Sequence, residues 1–574
     1  MAAFVSPFSD YLDTNYVPSS IDRLQILQLL KDPEAELAKL SEDISRLQAE
    51  IDDLQKRRDE LDNAIEEHRK LLTPFRRLPD DMLREVFLFC LPEKHNALMS
   101  AAEAPLLLGR ICSRWRSIAY HTPRLWATLH IPLPVPPAHG GLTLWIPSET
   151  FQQLCTDFEQ RFKNHCQAVQ DWLTRSGCCP LSISLNPRDS VPLTQNNYIR
   201  TYLEILLKFS HRWRSLEITI PSGEHSTFLA SIPSGAVPVL EYLHLKFSRR
   251  SVHENVWANS GILNAKKLRV VHLAQFPYRL STLESDWSRI THLVLSDVAS
   301  ISRNRKLTID EAFRIFNRCK NLVHCVLDII DSADAISPTS DVIQLPCLEN
   351  LAIVDAALSL GTLFECLDVP SLRVVTYHTI FWPSSSRRSP LLTLLSRTNN
   401  HVEYLTTDIQ FYTLADLVDV FELIPNLTHL TNKRSRFGVS REQARLRSGL
   451  PFTMKIMNAF LNLLLPDHDD RCLCPQLHFL DLKESHMLND LDALTFIQQR
   501  IKASEFSDTR ISRLTGVNIT FTRDTILDIR PFLQVHIDAG LKLILSYPPP
   551  RRVLPGNFSP VNGLVKREVS SDIF

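Results

Sequence analysis

Residues 240–245 have the sequence Leu-Glu-Tyr-Leu-His-Leu, in which side chains follow the pattern apolar-x-x-apolar-x-apolar. The pattern begins again at a series of residues elsewhere in the chain: Leu268, Ile290, Leu322, Leu348, Leu372, Leu477 and Leu514, with weaker copies at Val402 and Leu427 and earlier candidates at Trp126, Cys178 and Trp213. Between Trp213 and Leu427 successive copies begin 22 to 32 residues apart. A short apolar segment that returns at such a period predicts strands stacked side by side in one parallel sheet.

The segments between the copies have the spacing of helices. Residues 310–319, 362–367 and 414–423 carry apolar side chains three and four positions apart. Alternating strands and helices with short connections predict an α/β fold class, coiled right-handedly into a solenoid. Because the period surrounds the roughly 20 to 29 residues of leucine-rich repeats, we predict an irregular leucine-rich-repeat-like domain over 149–547. The asparagine usual in such repeats is missing, so a generic α/β domain with parallel strands stays open.

Two short helices are predicted ahead of the repeats. Residues 74–92 have the sequence Pro-Phe-Arg-Arg-Leu-Pro-Asp-Asp-Met-Leu-Arg-Glu-Val-Phe-Leu-Phe-Cys-Leu-Pro. Pro79 suits a first helical turn, the two aspartates after it complement the helix dipole, and Pro92 ends the helix. A second helix begins at Pro105 and ends before Pro123. Each carries an apolar stripe, and two short helices cannot hide both stripes from water.

The order and spacing of these residues resemble the F-box, over residues 74–130. In that family the motif binds a Skp-type adaptor, which tethers it to a cullin-RING ubiquitin ligase. The resemblance implies adaptor-binding positions at Leu78, Pro79, Met82, Leu83, Val86 and Phe87. It implies core positions at Leu91, Ile111, Cys112, Trp115, Ala119, Leu125 and Trp126. The link over 93–104 is longer than usual, and an ordinary helical hairpin is the alternative.

A heptad pattern precedes this stretch, over residues 33–73. One set of positions seven apart holds Leu37, Ile44, Ile51, Arg58, Ile65 and Leu72, and the other holds Leu40, Leu47, Leu54, Leu61 and His68. With the first set as heptad positions a and the second as positions d, isoleucine at a and leucine at d favour a parallel two-stranded coiled coil. Arg58 and His68 interrupt this apolar pattern. Homodimerisation through this helix and packing of the helix back on its own chain, for instance on residues 21–30, are equally open. Fungal F-box proteins, which the chain resembles, often carry such a helix.

The remaining segments are predicted to lack repeats. Residues 1–32 form an N-terminal segment, and the prolines and glycines of 131–148 predict a linker or loop. Residues 433–450 form an insertion with five arginines between 433 and 447. The tail 548–574 cannot bury much apolar surface, so we predict disorder there.

Composition favours a multi-domain chain in the cytoplasm, the nucleus or both. The 574 residues carry a net charge of -1, so no global field attracts nucleic acid or anionic lipid. We expect no membrane span, because the chain has no run of 18 apolar residues and no signal-peptide pattern. The 12 cysteines are expected to be reduced.

Motifs for catalysis and cofactors are missing from the sequence. It has no phosphate-binding glycine loop, no nucleophile elbow and no His-Glu-x-x-His helix. The best metal candidate, residues 467–470 with Cys472, Cys474 and His478, fits no four-ligand spacing. We therefore predict no catalytic residue, no metal and no cofactor.

The sequence predicts a non-catalytic substrate receptor of a Skp-cullin-F-box ubiquitin ligase, with an unknown target. Target binding is expected on the concave face of the solenoid, at the variable positions of the repeat strands: Glu241, Tyr242, His244, Arg269, His272, Thr291, His292, His324, Glu349, Arg373, Glu403, Tyr404, His429, His478 and Asp481. The alternatives are an F-box scaffold that does not direct degradation and a nucleic-acid or chromatin adaptor using the arginine-rich insertion. The nucleic-acid alternative is the less favoured, given the net charge.

Overall fold

The computed structural model describes residues 6–72, 74–134, 136–137, 148–187, 198–220, 223–247, 256–276, 287–296, 307–330, 342–356, 360–379, 389–433, 452–466, 471–485, 488–505, 510–521 and 525–547. The chain forms two compact units, residues 1–85 and 86–574. The insertion at 434–450, the metal candidate at 467–470 and the tail from 548 lie outside the described residues.

Residues 1–85 contain one long helix, α1, at Ser20–Leu71. It begins at a capping box, in which the Ser19 hydroxyl accepts from the Asp22 amide and the Asp22 carboxylate accepts from the Ser19 amide. Pro33, the predicted start, lies within the helix instead. At about 1.5 Å per residue, α1 is about 78 Å long. Residues 21–30 belong to this same helix, so the predicted alternative in which the heptads pack back on them is wrong.

The other helices are much shorter, apart from α5. They are α2 Asp80–Phe89, α3 Leu108–Ile111, α4 Ser113–Tyr120, α5 Ser148–Arg175, α6 Tyr198–Leu207, α7 Gly223–Ala230, α8 Ile309–Arg318, α9 Leu360–Glu365, α10 Pro390–Leu395, α11 Leu414–Glu422, α12 Phe452–Leu463, α13 Asp490–Glu505 and α14 Arg530–Asp538. The boundary between the two units falls within α2.

The strands all lie after residue 127 in the described chain. They are β1 Thr128–Leu133, β2 Leu181–Pro187, β3 Trp213–Ile220, β4 Tyr242–Phe247, β5 Val270–Ala274, β6 His292–Ser296, β7 Leu307–Thr308, β8 His324–Ile330, β9 Ile343–Gln344, β10 Asn350–Ala356, β11 Leu367–Asp368, β12 Val374–Thr379, β13 Tyr404–Thr407, β14 His429–Asn432, β15 Phe479–Ser485, β16 Gly516–Phe521 and β17 Lys542–Ser546.

A single parallel sheet of 15 strands organises residues 86–574. Its order follows the chain from β1 to β6, continues through β8, β10 and β12, and then runs from β13 to β17, while β7 pairs beside β8. Strands β9 and β11 pair separately. The predicted α/β class is therefore confirmed, since a strand that pairs in parallel with the next must be joined to it by a crossover.

The register places equivalent residues of successive repeats side by side. Leu243 lies opposite Leu216 on one side and Val271 on the other, and the same row continues through Leu293, Cys325, Leu351, Val375, Leu405, Leu430, Leu480 and Val517. Every member of this row is at most 2% exposed. Because side chains alternate along a strand, the neighbouring positions form the opposite, polar face.

The helices form a second layer. From α8 to α14 each helix contacts the next, and α7, α8 and α14 also contact strands of the sheet. In α8 the apolar residues Ile309, Phe313 and Phe316 are buried. The three helical segments expected from spacing correspond to α8, α9 and α11.

Each predicted copy of the apolar pattern lies at the start of a strand or just before it. Two differences from the predictions stand out. Residues 131–133, assigned to a linker, complete β1 and are buried, because they pair with β2. Strand β17 and the two-residue strands had no predicted copy of the apolar pattern.

None of the described helices is long and apolar enough to cross a membrane.

Candidate protein-binding surfaces

Four of the predicted adaptor-binding residues lie in the first half of α2 or just before it. Leu83 is completely buried, Leu78 is half-buried, and Pro79 and Met82 are exposed, with Met82 at 53%. The Leu83 amide donates to the Pro79 carbonyl over 3.1 Å, and Pro79 lies directly before the first residue of α2, one position ahead of its predicted place in the first turn. Leu83 therefore offers no surface to a partner, whereas Pro79 and Met82 do.

The second half of α2 also has both buried and exposed apolar side chains. Phe87 is completely buried, with its ring centroid 4.8 Å from that of Trp115, and Val86 is half-buried. Phe89 is 89% exposed. Phe87 thus belongs to the core, which differs from its predicted place at the adaptor.

The second predicted helix is broken at Cys112. Cys112 is extended, with φ -156° and ψ 170°, and its Sγ accepts from the Trp115 amide at 3.4 Å. It therefore ends α3 and caps α4. The break leaves Cys112 and Ile111 at the surface, with Ile111 54% exposed, rather than in the predicted core. Leu107, one helical turn before Ile111, is 41% exposed.

The other predicted core residues lie mostly inside. Ala119, Leu125 and Trp126 are buried, while Leu91 and Trp115 are half-buried. The Trp126 indole donates to the Ala119 carbonyl at 2.9 Å, and its ring meets that of Trp172 edge-on at 4.7 Å. These contacts join α4 to the helix α5 that covers the first strands.

The long link between the two predicted helices packs on the sheet. The His130 amide of β1 donates to the Ala97 carbonyl at 2.9 Å, and the Asn96 amide group donates to the Ser184 hydroxyl of β2 at 3.1 Å. Ala97 and Leu98 are buried. Within residues 86–574, the helical stretch and the sheet are therefore continuous, and three apolar side chains of this stretch, Phe89, Leu107 and Ile111, remain at its surface.

A ladder of rings occupies the polar face of the sheet. Tyr242 and His244 lie on β4, His272 on β5, His292 on β6 and His324 on β8. The His244 and His272 centroids are 5.4 Å apart, and His292 stacks on His324 at 5.9 Å. Further along, Tyr404, His429 and Phe479 stack at 4.2 Å and 5.5 Å.

The imidazoles in the middle of this ladder are held neutral. Burial lowers the pKa of His324 to about 4, with a smaller contribution from the neighbouring His292. Burial also lowers the pKa of His292, and it lowers that of His378 on β12 to about 4. The imidazoles of His292 and His324 are therefore neutral at physiological pH, which suits stacking and hydrogen bonding to another protein.

Seven of the fifteen positions predicted for this face lie elsewhere. Glu241, Arg269, Thr291, Glu349, Arg373, Glu403 and His478 each precede a strand. Their amides and carbonyls form a ladder between neighbouring repeats, such as the 2.9 Å bond from the Glu241 amide to the Arg214 carbonyl. Side chains of adjacent residues alternate, so these positions do not share the face of Tyr242 and His244. Asp481, in contrast, lies on β15 and is buried, 3.2 Å from the Lys483 ammonium.

Two buried arginines were not anticipated. Arg500 on α13 is completely buried and donates to the carbonyls of Leu464 and Cys474, at 2.6 Å and 2.7 Å, and to the Cys472 Sγ at 2.7 Å. Arg212, before β3, similarly donates to the Leu173 carbonyl at 3.0 Å. Both close the turn between a helix and the following strand. Nothing in the sequence predicts that these two arginines are buried, since arginine is usually exposed.

The metal candidate is only partly described. Cys472 accepts the Arg500 hydrogen bond, and burial raises the pKa of the Cys474 thiol, whereas zinc requires thiolates. Among the described residues, no group of three or more potential ligands could hold a metal ion.

Comparisons with known proteins add little. No family model matches the chain, and no curated protein matches it in sequence. Among solved structures, the chain is similar to the crystal structure of the Rad7 and Elc1 complex in yeast. The sequence identity is 12% and the TM-score 0.28, over 71% of this chain and 98% of that chain. A likeness at this TM-score supports no conclusion about fold or function.

Proposed function

We propose that this protein is a non-catalytic substrate receptor of a Skp-cullin-F-box type ubiquitin ligase. Its F-box-like residues bind a Skp-type adaptor and, through it, a cullin. Its sheet, an irregular leucine-rich-repeat-like solenoid, binds the target protein. The chain acts by raising the effective concentration of the target at the ligase, and another subunit supplies the catalytic cysteine.

The observation that carries the proposal is the set of apolar side chains exposed within the F-box-like helices. Phe89, Leu107 and Ile111 are exposed by 89%, 41% and 54%, although their helices are otherwise tied into a buried core. Leu107 and Ile111 are four residues apart, so they lie on the same side of one helical turn. Clustered apolar side chains at a surface are typical of a protein-protein interface.

Pro79 and Met82 remain proposed contacts at the start of α2, because both are exposed. Leu83 and Phe87 support the helix from inside, since neither is accessible. A charged substitution at either buried position is expected to unfold the region, so these two residues are unsuitable for testing adaptor binding.

The target-binding part of the proposal rests on the polar face. The stacked rings of His292 with His324 and of Tyr404 with His429 present flat, hydrogen-bonding groups, and the first two are neutral at physiological pH. Tyrosine and similar rings are enriched in the centres of protein interfaces.

The test is affinity purification of the full chain with mass spectrometry. We compare wild type with a Leu107→Asp, Ile111→Asp double variant. The matched control is Phe532→Asp, Val535→Asp, which alters two exposed residues of α14. We expect wild type and control to recover a Skp-type adaptor and a cullin, and the Leu107, Ile111 variant to lose both while retaining other proteins. Absence of any adaptor from the wild-type purification, or equal recovery by all three, would contradict the proposal.

A further inference from the structure

We infer that α1 pairs with α1 of a second copy of this chain, in antiparallel orientation, with the centre of the pair between Ile51 and Leu54. This inference is independent of the proposed ligase function. It concerns residues 33–72, and a receptor that binds its adaptor as a monomer would leave the proposed function intact.

The seam of α1 is exposed along its whole length. The heptad residues Leu37, Leu40, Ile44, Leu47, Ile51, Leu54, Leu61, Ile65 and Leu72 are each between 46% and 66% exposed, and α1, which is described throughout, has no buried residue. Helices in proteins gain most of their stability by packing an apolar side against another element. An uncovered stripe of five heptads therefore requires a partner.

The residues of the seam favour two helices. Isoleucine occupies three of its six a positions and leucine four of its five d positions, a combination typical of two-stranded coils. A second copy is the partner that presents the same seven-residue repeat over the same length, so most apolar layers find an apolar layer opposite them.

Arg58 and His68 decide the orientation. In a parallel pair in register, Arg58 faces Arg58 of the other copy, which places two positive charges together at the seam, and His68 faces His68, which places two polar rings there. In an antiparallel pair an a position faces a d position. When Ile51 faces Leu54, Arg58 faces Leu47 and His68 faces Leu37, so both polar side chains meet an apolar neighbour and can extend their polar groups to water. The parallel arrangement favoured by the apolar pattern alone is thus disfavoured by its two polar positions.

The flanking charges select the register. In this antiparallel pair Glu50 lies opposite Arg57 of the other copy, and Glu34 lies opposite Arg69, so each pairing occurs twice with opposite charges. A shift of one heptad toward the C-terminus sets Arg57 against Arg57. A shift of one heptad the other way sets Glu50 against Glu50. Flanking charge pairs set orientation in coiled coils, so the centred register is the preferred one.

The first experiment measures the mass of the full chain by analytical ultracentrifugation over a concentration series. We expect a dimer for wild type, a monomer for Ile51→Glu, Leu54→Glu, and a dimer for the matched control Ala49→Glu, which places a glutamate on the outer side of the same turn. Both seam residues are exposed within a single chain, so their substitution leaves the fold of the monomer intact. A monomeric wild type, a trimer or tetramer, or a double variant that still dimerises would overturn the inference.

A charge exchange then tests orientation. In the antiparallel pair, Glu50→Arg and Arg57→Glu each create two repulsive pairs and weaken dimerisation by about tenfold. The double variant, which has the composition of wild type, restores it. In a parallel pair Glu50 faces Gln55 and Arg57 faces Asp62, so Glu50→Arg would have little effect and the double variant would stay weak. That second pattern would refute the antiparallel assignment.

Discussion

Helix α1 and the parallel sheet both carry a repeated apolar pattern, but the sheet buries its pattern and α1 leaves its pattern exposed. Leu243 of the sheet is 0% exposed, whereas Leu40 of α1 is 55% exposed. In the sheet, each repeat covers the apolar row of its neighbour, so the chain satisfies its own pattern. In α1, nothing within the helix covers the seam. A periodic pattern therefore predicts which side chains share a surface. It does not predict whether another part of the same chain or a second molecule covers that surface.

Matched truncations in the two regions should show the largest contrast. Leu351→Ala removes a side chain from the buried row and is expected to lower the free energy of unfolding by about 2 to 5 kcal/mol. Leu54→Ala removes an exposed side chain, so at concentrations where the chain is monomeric it should change this quantity by about 0.5 kcal/mol or less. Urea denaturation of both variants provides the comparison. Equal losses would show that the seam is covered within one chain.

Removal of the buried charge of Arg500 should give the next largest loss in the free energy of unfolding. Arg500→Met takes away the guanidinium that holds the Leu464 and Cys474 carbonyls, leaving buried acceptors without donors. We expect a loss of about 3 kcal/mol in the free energy of unfolding. Arg513→Met, at an exposed position before β16, serves as the control and should be nearly neutral. A neutral Arg500→Met would mean that the turn is held by packing alone.

The imidazole ladder predicts a loss of stability in acid. The folded-state pKa of His324, about 4, lies below the unfolded value of 6.5, so the unfolded chain binds the proton more readily between these values. Stability is therefore retained above about pH 6.5 and falls as the pH decreases toward 4. We expect His324→Leu to reduce this fall by about 1 to 3 kcal/mol, as measured by denaturation at pH 7 and pH 4.5. An unchanged pH profile would show that His324 titrates normally.

The smallest effect concerns the interrupted seam. Arg58→Leu replaces a charged side chain at an a position with an apolar one, so dimerisation should strengthen by about tenfold, or about 1.4 kcal/mol. The same change should leave the free energy of unfolding of residues 86–574 unaltered. Sedimentation equilibrium measures the first quantity, and weaker association would contradict the placement of Arg58 in the seam.

The strands could be predicted because the repeated pattern occurs many times, and each copy supports the others. The start of α1 also had a sequence signal, the serine and aspartate of its capping box. We nevertheless predicted that the helix begins at Pro33. The break at Cys112 had no such signal, since cysteine is an unusual cap. Strand β17, at the end of the sheet, lacked a full copy of the pattern.

The surface residues of the F-box-like stretch were the least predictable part. Periodicity placed Leu83, Phe87 and Ile111 on apolar stripes, and the structure buries the first two and exposes the third. Each short helix has apolar residues on more than one side. Which side faces the core depends on long-range contacts, such as those of Trp115 with Phe87 and of Trp126 with Trp172.

The most direct test of the central claim is the dissociation constant of a purified Skp-type adaptor for the full chain, measured by biolayer interferometry. We predict saturable binding to wild type and to the Phe532→Asp, Val535→Asp control, and at least a hundredfold weaker binding to Leu107→Asp, Ile111→Asp, as expected when about 3 kcal/mol of apolar contact is lost. Equal affinities for all three proteins, or no binding to wild type, would contradict the account.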